Sequence, residues 1–147
     1  MHKFGSKSLE RLNTCESDLF KIMNLVISRS HIDFSITEGH RSIDRQQQLF
    51  EDGKSKIDGI NKKGKHNYFP SRAVDIAIYH ADRQTRNRLV YHVPSLSYIA
   101  GVVQSCTEEL FEKGEIKHRV RWGGNWDKDG IILQDQSFDD LPHFELY

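Results

Sequence analysis

Three residues of this chain have the types and positions of metal ligands. His66 ends a polar stretch, Asp75 lies inside an apolar run, and His143 lies close to the last residue. Two imidazoles and one carboxylate suit a catalytic zinc ion, because three protein ligands leave a fourth coordination position for water. Spacing alone does not single out this trio, since the chain contains 8 histidines and 21 carboxylate side chains.

Asp75 is unusual for the element in which it lies. The run 73–79 alternates larger apolar residues with smaller or polar ones, which predicts a strand. Asp75 then points away from the larger apolar side chains. A carboxylate in mid-strand is poorly favoured by propensity, and a bound metal ion would account for it. An ion pair with Arg72 or Arg121 is the structural alternative.

Hydrophobic spacing predicts the elements that position these residues. The predicted helices cover about 6–15, 18–29, 42–50 and 94–114, and the predicted strands cover about 31–37, 73–79, 116–122 and 143–147. The sequence therefore predicts an α+β fold, in which helices pack a small, mainly antiparallel sheet in a single domain over residues 1–147. If the strands of Asp75 and His143 are neighbours, their side chains and that of His66 can converge.

Local signals add detail around the third helix. Ser42 is expected to cap it, and Ile43, Gln47 and Phe50 share one of its faces. Asp18 is a candidate cap for the second helix. Residues 51–65, which follow the third helix, are polar and rich in glycine and lysine, so we expect a mobile loop there.

The composition is that of a soluble globular protein, with 37% hydrophobic and 29% charged residues. The formal net charge is zero, which gives no general attraction to nucleic acid or to an anionic membrane. The sequence shows neither a transmembrane helix nor a signal peptide. We therefore expect synthesis in the cytoplasm. Cys15 and Cys106 are expected to be buried thiols, since two cysteines do not indicate a disulfide framework.

Read in chain order, these segments resemble the zinc peptidases of the D-Ala-D-Ala carboxypeptidase and L-Ala-D-Glu endopeptidase superfamily, and especially bacteriophage endolysins. His66, the Ala-Val-Asp run that ends at Asp75, and Asp140 placed three positions before His143 match the ordered pattern of that family. The segments 36–42, 46–53, 121–126 and 143–146 match it as well. The similarity spans roughly residues 4 to 147.

The resemblance implies a role for each matching residue. His66, Asp75 and His143 would bind one zinc ion, and Asp140 would be the general base of metal-assisted amide hydrolysis. Asp139 is the alternative base, because it is adjacent to Asp140.

Two further residues have a functional and a structural interpretation. Arg41 would bind a substrate carboxylate or stabilise the oxyanion, or would simply bridge Glu38 or Asp44. Glu145 would orient the His143 ring without binding the metal, or would simply point outward in the strand alternation. Trp122 and Trp126 are expected in the core or in the wall of a cleft.

The sequence departs from the family pattern at two places. The spacer between His66 and Asp75 is about two residues longer than the commonest form, and Phe69-Pro70 stands where a glycine is often found. We expect a looser loop that keeps the same ligands. The family often has serine two residues before its first histidine, whereas this chain has Gly64.

The leading hypothesis is a phage or prophage endolysin that cuts the L-Ala-D-Glu bond of the peptidoglycan stem peptide and lyses the cell. We expect a monomer that has no separate cell-wall-binding domain, binds no nucleic acid, has no stable membrane association and reaches the wall through a separate pore. A D-alanyl-D-alanine carboxypeptidase is the alternative enzyme. A zinc-structured wall-binding module without catalysis is the alternative of a different class.

An acidic loop gives a weaker second metal signal. Asp127, Asp129 and Asp135 have the spacing of a loop calcium site, but the loop lacks the bidentate glutamate of an EF-hand at the expected place. A solvated turn is therefore the default interpretation, with calcium as the alternative.

Overall fold

A computed structural model describes residues 1–131 and 140–147. The helices are α1 (Ser6–Leu12), α2 (Ser17–Arg29), α3 (Ile43–Glu51), α4 (Arg83–Leu89) and α5 (Val93–Glu112), with a 3₁₀ helix at Lys65–Asn67. The strands are β1 (Phe34–Glu38), β2 (Ala73–Ile78), β3 (Val120–Gly123) and β4 (Asp140–Leu146). None of the helices in the described residues is long and apolar enough to cross a membrane.

The four strands form one sheet in the order β1-β2-β4-β3, and every neighbouring pair is antiparallel. The strand of Asp75 therefore lies directly beside the strand of His143. The predicted α+β fold, with an antiparallel sheet packed by helices, is confirmed.

One face of the sheet forms the hydrophobic core. Phe34, Ile36, Val74 and Phe144 are almost completely buried there, together with the apolar side of α2 and α5. The alternation in the strands explains this arrangement, because every second side chain of a strand points to the same face. The other face is left to the polar residues.

The opposite face carries a row of polar residues across three strands. Glu38 of β1 is paired with Asp75 of β2, and Asp75 is paired with His143 of β4. Directly opposed side chains on one face have Cβ atoms about 4.5–5.5 Å apart. Regular alternation would place Glu38 on the same face as Ile36, but a register irregularity between these two residues brings Glu38 into the polar row. Two residues along β4, Glu145 lies on the same face.

Two elements differ from the prediction. Residues 83–89 form α4, a helix that sparse apolar residues did not reveal, and Asp82 caps it by accepting a hydrogen bond from the Thr85 N–H at 2.8 Å. The strand predicted from residue 116 begins only at Val120.

Asp18 explains the late start of β3. Its carboxylate accepts hydrogen bonds from the backbone N–H groups of Lys117 and His118 at 2.9 and 3.1 Å and from His118 Nδ1 at 2.8 Å. The expectation that Asp18 caps α2 is wrong, since the residue before that helix is Glu16. Asp18 instead joins α2 to the segment before β3.

Both cysteines are buried, and neither forms a disulfide, as the sequence predicts. Burial raises the pKa of the Cys15 thiol to about 11. A thiol with such a pKa stays protonated near neutral pH and is a poor nucleophile. Cys15 is therefore a packing residue.

Replacing Asp18 by asparagine should make stability less dependent on pH. Burial opposes ionisation, but the hydrogen bonds from His118 and Lys117 lower the pKa of Asp18 below its ordinary value. Its contribution is therefore complete above the pKa of the unfolded chain and is lost as pH falls through the lower folded pKa. Asp18→Asn should lower the free energy of unfolding by about 1–3 kcal/mol at neutral pH, measured by urea unfolding.

The same urea series at decreasing pH tests the mechanism. The difference between wild type and Asp18→Asn should stay the same from about pH 7 to about pH 5 and shrink toward about pH 3. The exposed Asp52 gives a matched control, and Asp52→Asn should change stability little at either pH. A difference for Asp18→Asn that does not vary with pH would contradict the role of its charge.

Candidate metal centre and catalytic cleft

Three elements bring the predicted metal ligands together. His66 lies in the 3₁₀ helix before β2, Asp75 in β2 and His143 in β4. His66 Nε2 lies 3.2 Å from Asp75 Oδ1 and 3.3 Å from His143 Nδ1, and the last two atoms are 3.0 Å apart. Ligands at about 2.0–2.2 Å from a tetrahedral zinc ion are separated by about 3.3–3.5 Å. The trio therefore fits a single metal ion.

Hydrogen bonds behind the two imidazoles decide which nitrogens face the centre. His66 Nδ1 lies 2.7 Å from the carbonyl oxygen of Gly39, so Nδ1 carries the proton and donates it. His143 Nε2 lies 2.9 Å from Glu145 Oε1 and donates in the same way. The unprotonated nitrogens then point at Asp75 Oδ1. Three electron-pair donors converge, and a cation satisfies all three.

Electrostatics point to the same conclusion. Burial disfavours a charged imidazole, yet Asp75 and Glu145 on its two sides raise the pKa of His143 to about 9. Burial also disfavours an ionised Asp75. In the metal-free protein, however, hydrogen bonds from His143 and His66, each with a proton on the ring nitrogen that faces Asp75, hold the pKa of Asp75 well below its usual range. The cluster thus requires positive charge. A proton on His143 can supply it, and a metal ion competes with that proton.

Glu145 lies on the same face of β4 as His143 and accepts a hydrogen bond from its ring. It is 6% exposed, and its second oxygen accepts a hydrogen bond from Arg121 at 2.8 Å. Trp126 closes this side of the centre, with its ring 5.4 Å from the His143 ring and 5.1 Å from the Arg121 guanidinium. Trp126 is therefore part of the cleft wall.

Arg41 forms the bridge to Glu38 that the sequence left open. Its guanidinium donates to both Glu38 carboxylate oxygens at 3.0 and 2.7 Å, and Nη1 donates to Gln46 Oε1 at 3.0 Å. Nη2 also lies 3.5 Å from Asp75 Oδ2. Arg41 thus holds the outer oxygen of Asp75 while the inner oxygen faces the metal position. Its predicted contact with substrate stays a prediction.

Asp140 opens β4 at the edge of the centre. It is paired with Gly123, where an added Cβ would lie 2.0 Å from the Asp140 carbonyl oxygen, so only glycine permits this approach. Burial raises the pKa of Asp140, as does the nearby Asp75, whereas His143 lowers it. A raised pKa suits a proton acceptor that works near neutral pH. Asp139, the alternative base, lies outside the described residues.

Gln46 is a site residue that the sequence pattern did not reveal. The face shared by Ile43 and Phe50 is largely solvent-exposed, and Gln46 is the buried residue of α3, with 1% exposure. Its amide nitrogen donates to Ser55 Oγ and to the Ile57 carbonyl oxygen at 2.9 and 2.6 Å. With its oxygen bound to Arg41, Gln46 joins the polar loop to the site. A single buried polar residue has no hydrophobic period that would disclose it.

The long spacer after His66 is tied to the rest of the chain rather than loose. The Ser71 N–H donates to the Thr14 carbonyl oxygen at 2.8 Å, and the Ser71 carbonyl oxygen accepts from the Glu16 N–H at 2.9 Å. The Arg72 N–H donates to the Lys65 carbonyl oxygen at 3.0 Å. These bonds fix both ends of the spacer. The ligand positions are therefore kept, as predicted, without the expected looseness.

The metal trio opens into a cleft of about 600 Å³. Arg41, Asp140 and Glu145 also line this cleft, together with Trp126 and the exposed Tyr91. The cleft is large enough for several residues of a peptide. The predicted site residues thus share one solvent-accessible space.

The predicted calcium loop folds back on its own backbone. Asp127 Oδ1 accepts a hydrogen bond from the Asp129 N–H at 3.3 Å, and Asp129 Oδ1 accepts from the Ile131 N–H at 2.7 Å. Such bonds are typical of a turn. Asp135, the third predicted carboxylate, lies outside the described residues, so calcium binding stays a prediction.

The two histidines and the carboxylate could hold a metal ion, and they open into a cleft beside a carboxylate of raised pKa. This is the arrangement that a metal-dependent hydrolase requires. The family model described as phage L-alanyl-D-glutamate peptidase matches residues 1–147. The chain therefore belongs to the phage L-alanyl-D-glutamate peptidase family, which confirms the predicted resemblance.

The fold is similar to a solved structure of the same enzyme class. The crystal structure of Serratia marcescens L-Ala D-Glu endopeptidase ChiX matches with a TM-score of 0.73 and 25% sequence identity. The match covers 99% of this chain and 91% of that chain. No curated protein sequence matches this chain.

Removing any one of the three ligands should abolish stable metal binding. Purified wild type should contain about one zinc ion per chain, and His66→Ala, Asp75→Ala and His143→Ala should lose it, measured by elemental mass spectrometry. His31→Ala is the matched control, since His31 is exposed and lies away from the cleft. Full zinc content in any of the three variants, with circular dichroism showing an intact fold, would exclude that residue as a ligand.

Glu145 should matter through His143 rather than by contact with the metal. Glu145→Gln removes the charge that fixes the His143 Nε2 proton, so zinc affinity should fall about 10–100-fold, measured by competition with a chromogenic chelator. Glu108 forms a comparable pair with Arg119 outside the cleft, and Glu108→Gln should leave the affinity unchanged. Equal affinities in the two variants would contradict this role.

Proposed function

We propose that this family member is a zinc endopeptidase that hydrolyses the L-Ala-D-Glu bond of the peptidoglycan stem peptide. The observation that carries the proposal is the convergence of His66, Asp75 and His143 at 3.0–3.3 Å in a cleft that Asp140 also lines. Family membership over the whole chain and the likeness to the Serratia endopeptidase support the choice of substrate.

Zinc is the ion that suits this donor set. Two imidazole nitrogens and one carboxylate oxygen are typical of catalytic zinc centres, whereas calcium and magnesium prefer oxygen ligands throughout. When bound, zinc supplies Lewis-acid chemistry, since it makes a water molecule nucleophilic near neutral pH and polarises the scissile carbonyl. His66, Asp75 and His143 would hold the ion.

The chain's own groups supply the proton transfers. Asp140 accepts the proton that the attacking water loses and passes it to the leaving amino group. Its burial in the cleft raises its pKa, which makes the carboxylate a better acceptor for the proton of the attacking water. Arg41 keeps Asp75 oriented and presents positive charge to a carboxylate of the stem peptide.

The biological role follows from the bond that is cut. Hydrolysis of stem peptides weakens the wall and causes lysis. The enzyme acts as a monomer, without nucleic acid or stable membrane association, after synthesis in the cytoplasm of the infected bacterium and passage to the wall through a separate pore.

Digestion of purified peptidoglycan tests the proposed reaction. Mass spectrometry of the products should show new D-Glu amino termini. Free D-Ala would instead indicate a carboxypeptidase. An absence of cleavage by the zinc-loaded protein would indicate a wall-binding module without catalysis. Either of these results would overturn the proposal.

Two adjacent carboxylates allow a matched test of the base. Asp140→Asn should keep one zinc ion and lower kcat by about 10²–10⁴-fold, because proton transfer is lost while metal binding is not. Asp139→Asn should keep both zinc and activity. Normal activity of Asp140→Asn, or inactivity of only Asp139→Asn, would contradict the assigned mechanism.

A further inference from the structure

Four lysines form one wall of the catalytic cleft. This lysine wall consists of Lys54, Lys56, Lys62 and Lys65, all of which line the space that contains the metal trio. Lys54, Lys56 and Lys62 are solvent-exposed, and Lys65 is half-buried. The sequence predicts a mobile polar loop here, and nothing in the assigned catalytic steps uses these amino groups.

Buried polar contacts hold this loop against the site. The Gln46 side chain donates hydrogen bonds to Ser55 Oγ and to the Ile57 carbonyl oxygen. These two residues flank Lys56, and Ser55 also follows Lys54 directly. Gly59 is buried with φ +79°, and an added Cβ would lie 2.8 Å from Gln46 Cγ. The loop therefore packs directly on the residue that also binds Arg41. The backbone that carries the lysines is therefore held against the site, while their exposed side chains stay free to reach a ligand.

A second set of hydrogen bonds holds the far part of the loop. Asp58 Oδ1 accepts from the N–H groups of Ile60, Asn61 and Lys62 at 2.9, 2.9 and 3.2 Å. The Gly64 N–H donates to Asn67 Oδ1 at 2.9 Å. Asx turns of this kind define backbone direction without regular secondary structure.

Charge balance shows what the lysine wall can bind. Arg41 and Arg121, which line the same cleft, already form salt bridges with carboxylates of the site. Lys54, Lys62 and Lys65 form no ion pair with a carboxylate in the described parts of the chain. Clustered charge of one sign in a cleft attracts a ligand of the opposite sign. The cleft therefore has positive charge available for a ligand.

We propose that the lysine wall is a substrate-binding surface that recognises an acidic peptide through carboxylates close to the scissile bond. This inference rests on the proposed function, and it adds the residues that bind the substrate's carboxylates to the identity of the bond. Lysine ammonium groups suit this role because their flexible stems can meet carboxylates at several positions. The lysines are positioning residues, so their loss should affect KM rather than kcat.

Two matched peptides test the proposal. Both contain an internal L-Ala-D-Glu bond, and they differ only in that the carboxylates are free in one and converted to amides in the other. For the wild type, the free-acid peptide should have the lower KM. In the zinc-loaded Lys54→Gln/Lys62→Gln variant, KM for the free acid should rise about two- to fivefold per lysine. Its kcat, and KM for the amide, should stay within about twofold.

Lys63 provides the control within the same loop. Its ammonium group lies 5.1 Å from the centre of the Tyr68 ring, and Lys63 does not line the cleft. Lys63→Gln removes one positive charge from the same loop, as each single lysine substitution of the double variant does, but should keep the wild-type preference for the free acid. Raising the salt concentration should increase the wild-type KM for the free acid and have little effect on the amide.

The outcomes separate the two proposals. If the wild type cleaves neither peptide and leaves peptidoglycan intact, the proposed function fails, and the lysine wall fails with it. If the wild type cleaves peptidoglycan and the peptides, but the double variant keeps the full preference for the free acid, only the lysine wall is overturned. An equal effect of Lys63→Gln would also overturn the lysine wall, because the preference would then come from the general surface charge of the loop.

Discussion

Two imidazole nitrogens and one carboxylate oxygen meet within 3.0–3.3 Å of one another, and the rest of the structure keeps them there. Three electron-pair donors repel one another unless a cation lies between them. Gly39 and Glu145 fix the two imidazole tautomers from behind. A bound metal ion would offset the free-energy cost of burying the three groups, because its coordination would replace the hydration that they lose.

The sheet supplies this geometry through its register. Asp75 is paired with His143 on adjacent antiparallel strands, so one buried face and one polar face arise from the same alternation. The helices cover the apolar face, and the polar face is left for catalysis. Because the apolar face can pack in only one register, the hydrophobic core and the metal centre depend on the same alignment of β2 and β4.

Much of this could be predicted from the sequence, because strands and ligands have local signatures. Alternation revealed the strand of Asp75, and ordered motifs pointed to His66, Asp140 and His143. The roles of Gln46 and Asp18 could not be predicted. Each is a single buried polar residue whose partners are distant in sequence or lie in irregular backbone, and propensity carries no information about such pairs. The support of His143 by Glu145 was one of two open interpretations, since strand alternation does not say which face is inside.

Diffraction from zinc-loaded crystals, recorded at the zinc absorption edge, tests the central claim most directly. A single anomalous peak should lie about 2.0–2.2 Å from His66 Nε2, an Asp75 carboxylate oxygen and His143 Nδ1, with an open position toward Asp140. A peak that is ligated by His143 Nε2 or by Glu145, or that lies away from the three residues, would contradict the assigned tautomers and with them the account of the site.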